Sequence, residues 1–353
     1  MPLRTLSAKN FRNLDVTDLT LDDRLTLLVG ANAQGKTNCL EAIMLLVGRV
    51  ALRGQSERDM VATGETAYHL AGEWVDESGR PHRLERAVML APYRRRVVGP
   101  VIPTVSFTPD DLWMIKGSPE SRRHYLDSLG AQLSPRYRHE LGRFQRAVSQ
   151  RNKALKEGAS DSVLESFEAV LAEAGSFLWA RRLDLVGRLG TVLGPLVAEL
   201  AVTEVVTVSL ELGGHPDDPT TSGLARRLAE NRPLDRTRGM TLTGPHRDDL
   251  RLTVNGRPAD THASQGQQRS LALALKLAGR ALLEEATGIR PLVLLDDVLS
   301  ELDARRQSAL LHLMSQAGQQ TVVTGTEVRS FGALHPLVCE VTSGRVRPWG
   351  KAI

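Results

Sequence analysis

The sequence predicts an α/β nucleotide-binding fold interrupted by a helical arm, and three observations lead to this class. An apolar run at 25–29 leads into a glycine-rich loop that ends in Lys-Thr. A second apolar run at 292–295 ends in two adjacent acids. Between these runs, residues 113–203 do not show the alternation of apolar and polar residues that is typical of strands. They contain Ser-Pro pairs, which are typical of helix N-termini.

The remaining elements follow from local periodicity and turn residues. Ser118 and Ser134 each precede a proline, which predicts helix N-caps, and Asp161 is the predicted cap of a third helix. The predicted helices span 120–133, 136–157, 161 to about 190–195, 264–285 and 303–316. The predicted strands span 3–8, 15–20, 25–29, 66–73, 83–88, 100–109 (strand and loop), 205–212, 240–243, 250–254, 292–295 and 321–323.

These elements divide the chain into a split head, 1–112 and 204–353, and a helical arm, 113–203, with an alternative arm boundary near 239. The longest helix that the arm allows has about forty residues, or roughly 60 Å at about 1.5 Å per residue. Because sustained heptads are absent from the sequence, we expect an arm and not a long coiled coil.

The glycine-rich loop matches the pattern G-x-x-x-x-G-K-[ST], which cradles phosphates with backbone N–H groups. Lys36 is expected to reach the β- and γ-phosphates, and the Thr37 hydroxyl to bind Mg²⁺. A glycine-rich turn before a helix is the ordinary alternative, but the strand–loop–helix context favours a site for ATP or GTP. The predicted nucleotide-binding residues of this segment are Gly30, Ala31, Asn32, Ala33, Gln34, Gly35, Lys36, Thr37 and Asn38.

The two acids after the second apolar run predict the other half of this site. Asp296 is expected to hold Mg²⁺, directly or through water. Asp297 is then the candidate catalytic residue that polarises the attacking water. The alternative is a core strand that ends in a polar turn. Ser300 and Asp303 follow as competing N-caps of the next helix.

Another candidate anion site opens the predicted helix 264–285. Its first residues are Ser264, Gln265, Gly266 and Gln267, and a Ser–Gly turn at a helix N-terminus binds anions. The helix after the glycine-rich loop already provides a phosphate site, and one nucleotide does not need a second helix N-terminus from the same chain. A second subunit that presents this helix across the γ-phosphate would explain the motif.

Charge indicates a polyanionic partner. The formal net charge is +4 and the sequence pI is about 9.3. Clustered arginines are typical of nucleic-acid contact, although a solvated helix face is the alternative. The clustered arginines are Arg94, Arg95, Arg96, Arg122, Arg123, Arg136, Arg138, Arg143, Arg146, Arg151, Arg181 and Arg182.

Cysteines and hydropathy favour a cytoplasmic protein without a membrane partner. Cys39 and Cys339 make neither a disulfide framework nor a zinc site, and Cys39 is expected to pack in the core. No stretch is apolar and long enough to span a bilayer. The N-terminus lacks the apolar region of a secretion signal.

In their order along the chain, these motifs resemble Walker A, the ABC signature, Walker B and the D-loop of ABC-type P-loop ATPase heads of the SMC class. Within that class the chain resembles the RecF family of bacterial DNA replication and repair proteins, nearly end to end. The segments that carry this closer likeness are 9–14 (KNFRNL), 107–112 (FTPDDL), 122–127 (RRHYLD), 243–250 (TGPHRDDL) and 264–269 (SQGQQR).

The resemblance implies further site residues. It implies that Arg12 contacts a phosphate and that Asn13 lies near the nucleotide. It also implies an ATP-dependent homodimer, in which the signature residues 264–267 act in trans and Asp303 belongs to the D-loop. Thr324, Gly325 and Thr326 stand where ABC ATPases carry a switch histidine, with Thr326 at the switch-loop position, and no Q-loop glutamine is evident. Both departures predict slow hydrolysis.

The resemblance implies an ATP-dependent switch that binds duplex DNA near single-strand gaps. It implies recombinase loading in repair and the SOS response, with RecR-like and RecO-like partners, at the nucleoid. An ABC transporter subunit and an SMC-like structural tether are the alternatives. The missing histidine and the arginine-rich arm argue against the first, and the short insertion argues against the second. His246 and Arg247 are expected to have a structural role that is coupled to DNA or to the arm.

Overall fold

A computed structural model describes residues 2–15, 17–48, 56–200, 205–214, 216–300, 302–316, 318–328, 331 and 334–349. Contacts between Cα atoms divide the chain into two units. The first unit combines Met1–Asp110 with Leu283–Ile353, and the second is Asp111–Leu282. This division starts close to the predicted arm boundary and ends beyond both predicted C-terminal limits. The assignment of head and arm therefore stays a prediction.

Most predicted strands are present. The predicted strand 240–243 is wrong, because Gly239 ends a helix in a left-handed turn and the next residues continue as a loop. The strands are β1 Leu3–Lys9, β2 Thr17–Thr20, β3 Leu25–Val29, β4 Ala67–Val75, β5 Pro81–Leu90, β6 Tyr93–Val98, β7 Thr104–Phe107, β8 Val206–Glu211, β9 Asp249–Val254, β10 Arg257–Pro258, β11 Leu292–Asp296, β12 Thr321–Gly325, β13 Leu337–Thr342 and β14 Arg345–Pro348.

The predicted helices follow their predicted boundaries closely. The long helix Thr221–Arg238 had no predicted counterpart, and neither had the four-residue helices Glu57–Met60, Trp113–Lys116 and Ala259–His262. The third helix is capped at Ser160 and not at the predicted Asp161, which instead places its charge in the first turn. The helices are α1 Lys36–Val47, α2 Glu57–Met60, α3 Trp113–Lys116, α4 Pro119–Leu133, α5 Pro135–Lys156, α6 Asp161–Glu199, α7 Thr221–Arg238, α8 Ala259–His262, α9 Gln265–Thr287 and α10 Ala304–Ser315.

The described strands of the first unit form two sheets. One is antiparallel with the order β2-β1-β4-β5-β6, and the other has the order β14-β13-β3-β12-β11-β7. In the second sheet, β3, β12, β11 and β7 are parallel neighbours. Every residue of β3 and β11 is buried, which explains why both read as continuous apolar runs.

The core of the first unit encloses α1. Leu40, Ile43 and Leu46 of this helix are at most 1% exposed and pack in one cluster with residues of both sheets. The parallel arrangement brings the carboxyl ends of β3, β11 and β12 to one edge of the sheet. Ligand sites of open parallel sheets form at that edge.

The second unit is a helical assembly with a small sheet, in the order β10-β9-β8 among the described strands. Phe144, Leu171, Trp179 and Leu224 share its core, so that α5, α6 and α7 pack together. The 39-residue α6 is close to the predicted maximum length. No helix in the described ranges is long and apolar enough to cross a membrane.

Three arginines assigned to the polyanion-binding clusters are buried instead. Arg151 is 0% exposed, and its Nη1 lies 2.7 Å from Asp235 Oδ2. Arg182 Nη1 lies 2.7 Å from Asp248 Oδ2. Arg122 donates to both carboxylate oxygens of its aspartate partner, at 2.6 and 3.0 Å. Each of these guanidinium groups is paired with a carboxylate inside the second unit and is therefore not available to a polyanion; removing either partner would leave an uncompensated buried charge.

His246 and Arg247 also stabilise the second unit. Both donate to the carbonyl oxygen of Thr241, from His246 Nε2 at 2.9 Å and from Arg247 Nη2 at 3.1 Å. Burial lowers the pKa of His246 to about 4, so the imidazole is neutral near pH 7 and carries its proton on Nε2. The contacts fit the expected structural role.

Candidate nucleotide-binding site

The glycine-rich loop lies between the end of β3 and the start of α1. Gly35 caps the helix with φ of 112°, a conformation that residues with a Cβ atom rarely adopt. A Cβ atom at this position would also lie 2.8 Å from Asn13 Oδ1. The sequence pattern therefore reflects a backbone shape that only glycine allows here.

Lys36 is held inside this loop. Its ammonium group donates to the carbonyl oxygens of Gly30 at 2.8 Å and of Ala31 at 2.9 Å, and the residue is 7% exposed. An ammonium group has three N–H donors, so two hydrogen bonds fix its position and a third donor can meet a phosphate oxygen. The loop thus places a point charge where a phosphate chain would lie.

The Walker B acid meets the loop at the sheet edge. Asp296 Oδ1 accepts hydrogen bonds from Thr37 Oγ1 and from Thr324 Oγ1, both at 2.9 Å. Asp296 is 8% exposed. A hydroxyl and a carboxylate are the hard oxygen donors that Mg²⁺ accepts beside substrate phosphates. Thr37 and Asp296 therefore fit the predicted metal site in their chemistry and their proximity.

Asp297 has a left-handed backbone, with φ of 52°. Its N–H donates to Thr324 Oγ1 at 2.9 Å, so one threonine hydroxyl links both Walker B acids. A non-glycine residue in this region is uncommon and is a reason to ask about function. Thr326, at the predicted switch-loop position, is exposed.

Arg12 forms an ion pair with a buried carboxylate beside the glycine-rich loop. Its Nε and Nη2 donate to Glu41 at 2.8 and 3.0 Å, and its Nη1 donates to the Asp59 carbonyl oxygen at 2.8 Å. Glu41 is 1% exposed. These contacts fix the orientation of the guanidinium, while the phosphate contact itself stays a prediction.

Asn13 and Asn38 are neighbours at the start of α1. Asn38 Nδ2 donates to Asn13 Oδ1 at 2.8 Å, and Asn13 also lies against Gly35. The structure therefore brings Arg12, Asn13 and the glycine-rich loop together, as the resemblance implies for residues near the nucleotide.

A turn near the C-terminal end of the described chain braces the loop, and sequence reasoning missed it. The Ser343 N–H donates to Gln34 Oε1 at 2.7 Å, and the Gly344 N–H donates to the Gln34 carbonyl oxygen at 2.9 Å. The pair Ser-Gly between apolar runs signals a β13–β14 hairpin. No local pattern reveals that its turn contacts a residue more than 300 positions earlier.

Replacing Gly344 with alanine is expected to disturb this brace. The φ of Gly344 is 76°, and a Cβ atom would lie 1.8 Å from the Asn13 carbonyl oxygen. We expect affinity for a fluorescent ATP analogue to fall at least about tenfold, or about 1.4 kcal/mol, with a lower unfolding temperature.

Gly79→Ala is the matched control for Gly344→Ala. Gly79 has φ of 79° with no atom within 4 Å of an added Cβ, so it carries the same backbone penalty without the clash. Equal ATP affinity in the two variants would show that the turn does not brace the loop.

The predicted signature motif caps α9 in the second unit. Ser264 Oγ accepts from the Gln267 N–H at 3.2 Å, and Gln267 Oε1 accepts from the Ser264 N–H at 2.7 Å. This reciprocal pair is a capping box. Ser264 and Gln265 are exposed, and Gly266 is half-buried. An exposed helix N-terminus is compatible with presentation to another molecule.

Two further predictions concern single residues. Asp303 caps α10, since its carboxylate accepts from the Arg306 N–H at 3.0 Å, and its assignment to the D-loop stays a prediction. Cys39 is 0% exposed, which confirms its packing role. Burial raises the pKa of the Cys39 thiol to about 12, so the thiol is neutral at physiological pH.

Comparisons with known proteins identify the family and the fold that carry this site. A family model described as an AAA ATPase domain matches residues 1–65, which include the glycine-rich loop. A solved structure of the recombination mediator protein RecF with ATP superimposes with a TM-score of 0.88 at 29% identity, covering 99% of this chain and 97% of that chain. An Smc head domain from Pyrococcus furiosus matches with a TM-score of 0.52 at 15% identity, covering 98% and 95%, and shares the fold.

Curated relatives match over almost the whole length. The DNA replication and repair protein RecF of Rippkaea orientalis is 34% identical, covering 99% of this chain and all of that protein. That of Bacillus subtilis is 34% identical, covering 93% of this chain and 94% of that protein. The predicted family and the predicted fold class are thereby confirmed. This chain belongs to the RecF family of DNA replication and repair proteins.

Proposed function

We propose that this chain is an ATP-controlled DNA-binding switch in recombinational repair. Two copies close around ATP, the closed dimer binds duplex DNA near single-strand gaps, and slow hydrolysis reopens it. The observation that carries the proposal is the convergence of Lys36, Thr37, Asp296 and Asp297 at one sheet edge. Family membership makes the chain an ATP-binding ATPase of DNA repair.

The geometry supports the proposed metal and nucleotide roles. Thr37 Oγ1 and Asp296 Oδ1, 2.9 Å apart, would hold Mg²⁺. The ion would neutralise phosphate charge. Lys36 binds the β- and γ-phosphates, and Asp297 orients a water for attack on the terminal phosphate. The backbone of Asp297 is held by its hydrogen bond to Thr324, which keeps this residue beside Asp296.

Dimerisation is proposed from the exposed N-terminus of α9. The positive end of the helix dipole favours an anion there. A nucleotide already cradled by α1 in one copy offers its γ-phosphate to Ser264 and Gly266 of a second copy. ATP thereby joins two chains, and ADP, which lacks that phosphate, does not.

Partners are proposed from the relatives. The RecF structure with ATP is described as a recombination mediator in the RecFOR pathway. We extend this role to the present chain, with RecR-like and RecO-like proteins as partners in loading recombinase at gaps.

Slow hydrolysis is proposed because Thr324, Gly325 and Thr326 replace a switch histidine. A threonine hydroxyl holds both Walker B acids but cannot act as an imidazole base near neutral pH. A transporter needs rapid cycling, and a structural tether needs longer arms than the 39-residue α6. A slow switch fits the site better than either.

Asp297→Asn is expected to keep ATP binding and slow hydrolysis by about 10²- to 10⁴-fold, because the amide cannot accept the proton of the attacking water. Phosphate release under single-turnover conditions measures the effect. Asp23→Asn is the matched control, since Asp23 is an exposed aspartate of the same unit. Hydrolysis at the normal rate in Asp297→Asn would assign the base to another residue.

Titration with duplex DNA tests the proposed function as a whole. Affinity should rise with ATP and fall steeply with salt, because neutralised phosphates release their counterions. The titration is run at two salt concentrations, with ATP and with ADP, on wild type and on Asp297→Asn. Equal affinity with both nucleotides would refute an ATP-controlled switch.

A further inference from the structure

One face of the antiparallel sheet in the first unit is strongly basic. Lys9 pairs with His69, His69 pairs with Ala87, and Ala87 pairs with Arg96 in the register of β1, β4, β5 and β6. These side chains therefore form one row across four strands. Arg94 lies two residues from Arg96 on the same face. We call Lys9, His69, Arg94 and Arg96 the basic sheet face.

This face is open, and the exposed side chain of Met89 lies beside its basic residues. Residues of the basic sheet face and the small side chains Ala67 and Ala87 line a depression of about 740 Å³. The opposite face, with Tyr68 and Val88, is buried in the core. Four strands at about 4.8 Å spacing make the row roughly 14 Å long. Duplex DNA carries a charge every 1.7 Å or so of its axis, so the row can span several phosphates.

The charges of this face are incompletely neutralised within the described residues. Glu85 is the carboxylate nearest the row, at 3.4 Å from His69 and 3.8 Å from Arg96. Lys9 and Arg94 have no ion-pair partner in the described part of the chain. The Arg96 side chain is 71% exposed. Exposed cations with so few carboxylates make this surface favourable for an anionic partner.

We propose that the basic sheet face binds the phosphate backbone of duplex DNA. The inference rests on the proposed function and gives the DNA a location on the chain. A row of cations around small side chains admits a convex, regularly charged backbone. Single-stranded nucleic acid is the weaker fit, because it is bound by stacking on aromatic rings. Tyr93, the exposed aromatic of β6, lies on the other face by strand alternation.

The test compares arginines of one strand that point to opposite faces. Arg94→Ala/Arg96→Ala is expected to weaken duplex binding at least about tenfold and to lower the salt slope by about two, because each lost phosphate contact removes about one from the slope. Arg95→Ala should change affinity less than about twofold. Arg95 also borders the depression, but strand alternation puts its side chain on the other face, where its guanidinium approaches Glu57 at 3.8 Å.

A second control reproduces the change in net charge of the test variant at another place on the chain. Arg226→Ala/Arg238→Ala removes two exposed arginines from α7 of the second unit and is expected to leave the slope near the wild-type value. Affinity for an ATP analogue and the unfolding temperature should be unchanged in every variant, which separates loss of contact from loss of fold.

The outcomes distinguish this proposal from the proposed function. If Arg94→Ala/Arg96→Ala binds duplex as tightly as wild type, DNA lies elsewhere and the surface proposal alone is overturned. An equal loss in the Arg226→Ala/Arg238→Ala control also overturns it, since the effect is then one of net charge. If wild type binds no duplex with ATP, the proposed function fails together with its location.

Discussion

Lys36→Met is expected to abolish tight ATP binding and with it every ATP-dependent property. Lys36 is 7% exposed and is held by the Gly30 and Ala31 carbonyl oxygens. Methionine has similar length but provides no charge for the β- and γ-phosphates. We expect affinity for a fluorescent ATP analogue to fall at least about 100-fold, or about 2.8 kcal/mol.

Lys153→Met is the control for that experiment. The Lys153 side chain is 76% exposed on α5 of the second unit, so its loss should leave ATP affinity unchanged. Unchanged affinity in Lys36→Met itself would remove the glycine-rich loop from the nucleotide site. A parallel fall in both variants would indicate a general charge effect.

Ser264→Arg is expected to block ATP-dependent dimerisation and hydrolysis, while the isolated chain still binds ATP through Lys36 and Thr37. A cation at the N-terminus of α9 opposes the helix dipole and obstructs the γ-phosphate of a second copy. It also removes the hydroxyl that accepts from the Gln267 N–H, at a cost of about 1 kcal/mol.

Ser160→Arg separates these effects. Ser160 is the exposed N-cap position of α6, so the variant places the same cation at another helix N-terminus. It should dimerise normally with ATP. Mixing Ser264→Arg with Lys36→Met chains should restore one composite site at most, built from the intact loop of the first and the intact signature of the second. A Ser264→Arg protein that dimerises with ATP would show that α9 is not part of a shared site.

The short-range motifs of the site were predictable from sequence. The loop 30–37 and the acids Asp296 and Asp297 each follow an apolar run, and parallel strands place their carboxyl ends together. Thr324 was noted only as the residue before a missing histidine. Its hydroxyl donates a hydrogen bond to Asp296, which is 28 positions away in the sequence. A contact between residues so far apart produces no local sequence pattern that could predict it.

The arginines show the limit of counting charge. The sequence does not distinguish the buried arginines from the exposed ones. In the structure, three of them are buried and paired with carboxylates, namely Arg122, Arg151 and Arg182. Helix periodicity alone does not identify the partner of a charged residue. Strand alternation within β6 does separate Arg94 and Arg96 from Arg95, and it is readable once the strand is known.

The central claim is that ATP joins two chains and that the joined state binds duplex DNA. Sedimentation velocity of the wild-type chain with ATP, with ADP and without nucleotide tests it most directly, each with and without duplex or single-stranded DNA. The account predicts a monomer without nucleotide and with ADP, a dimer with ATP, and co-sedimentation of that dimer with duplex in preference to single strand. A chain that stays monomeric with ATP and duplex, or that dimerises equally with ADP, would contradict it.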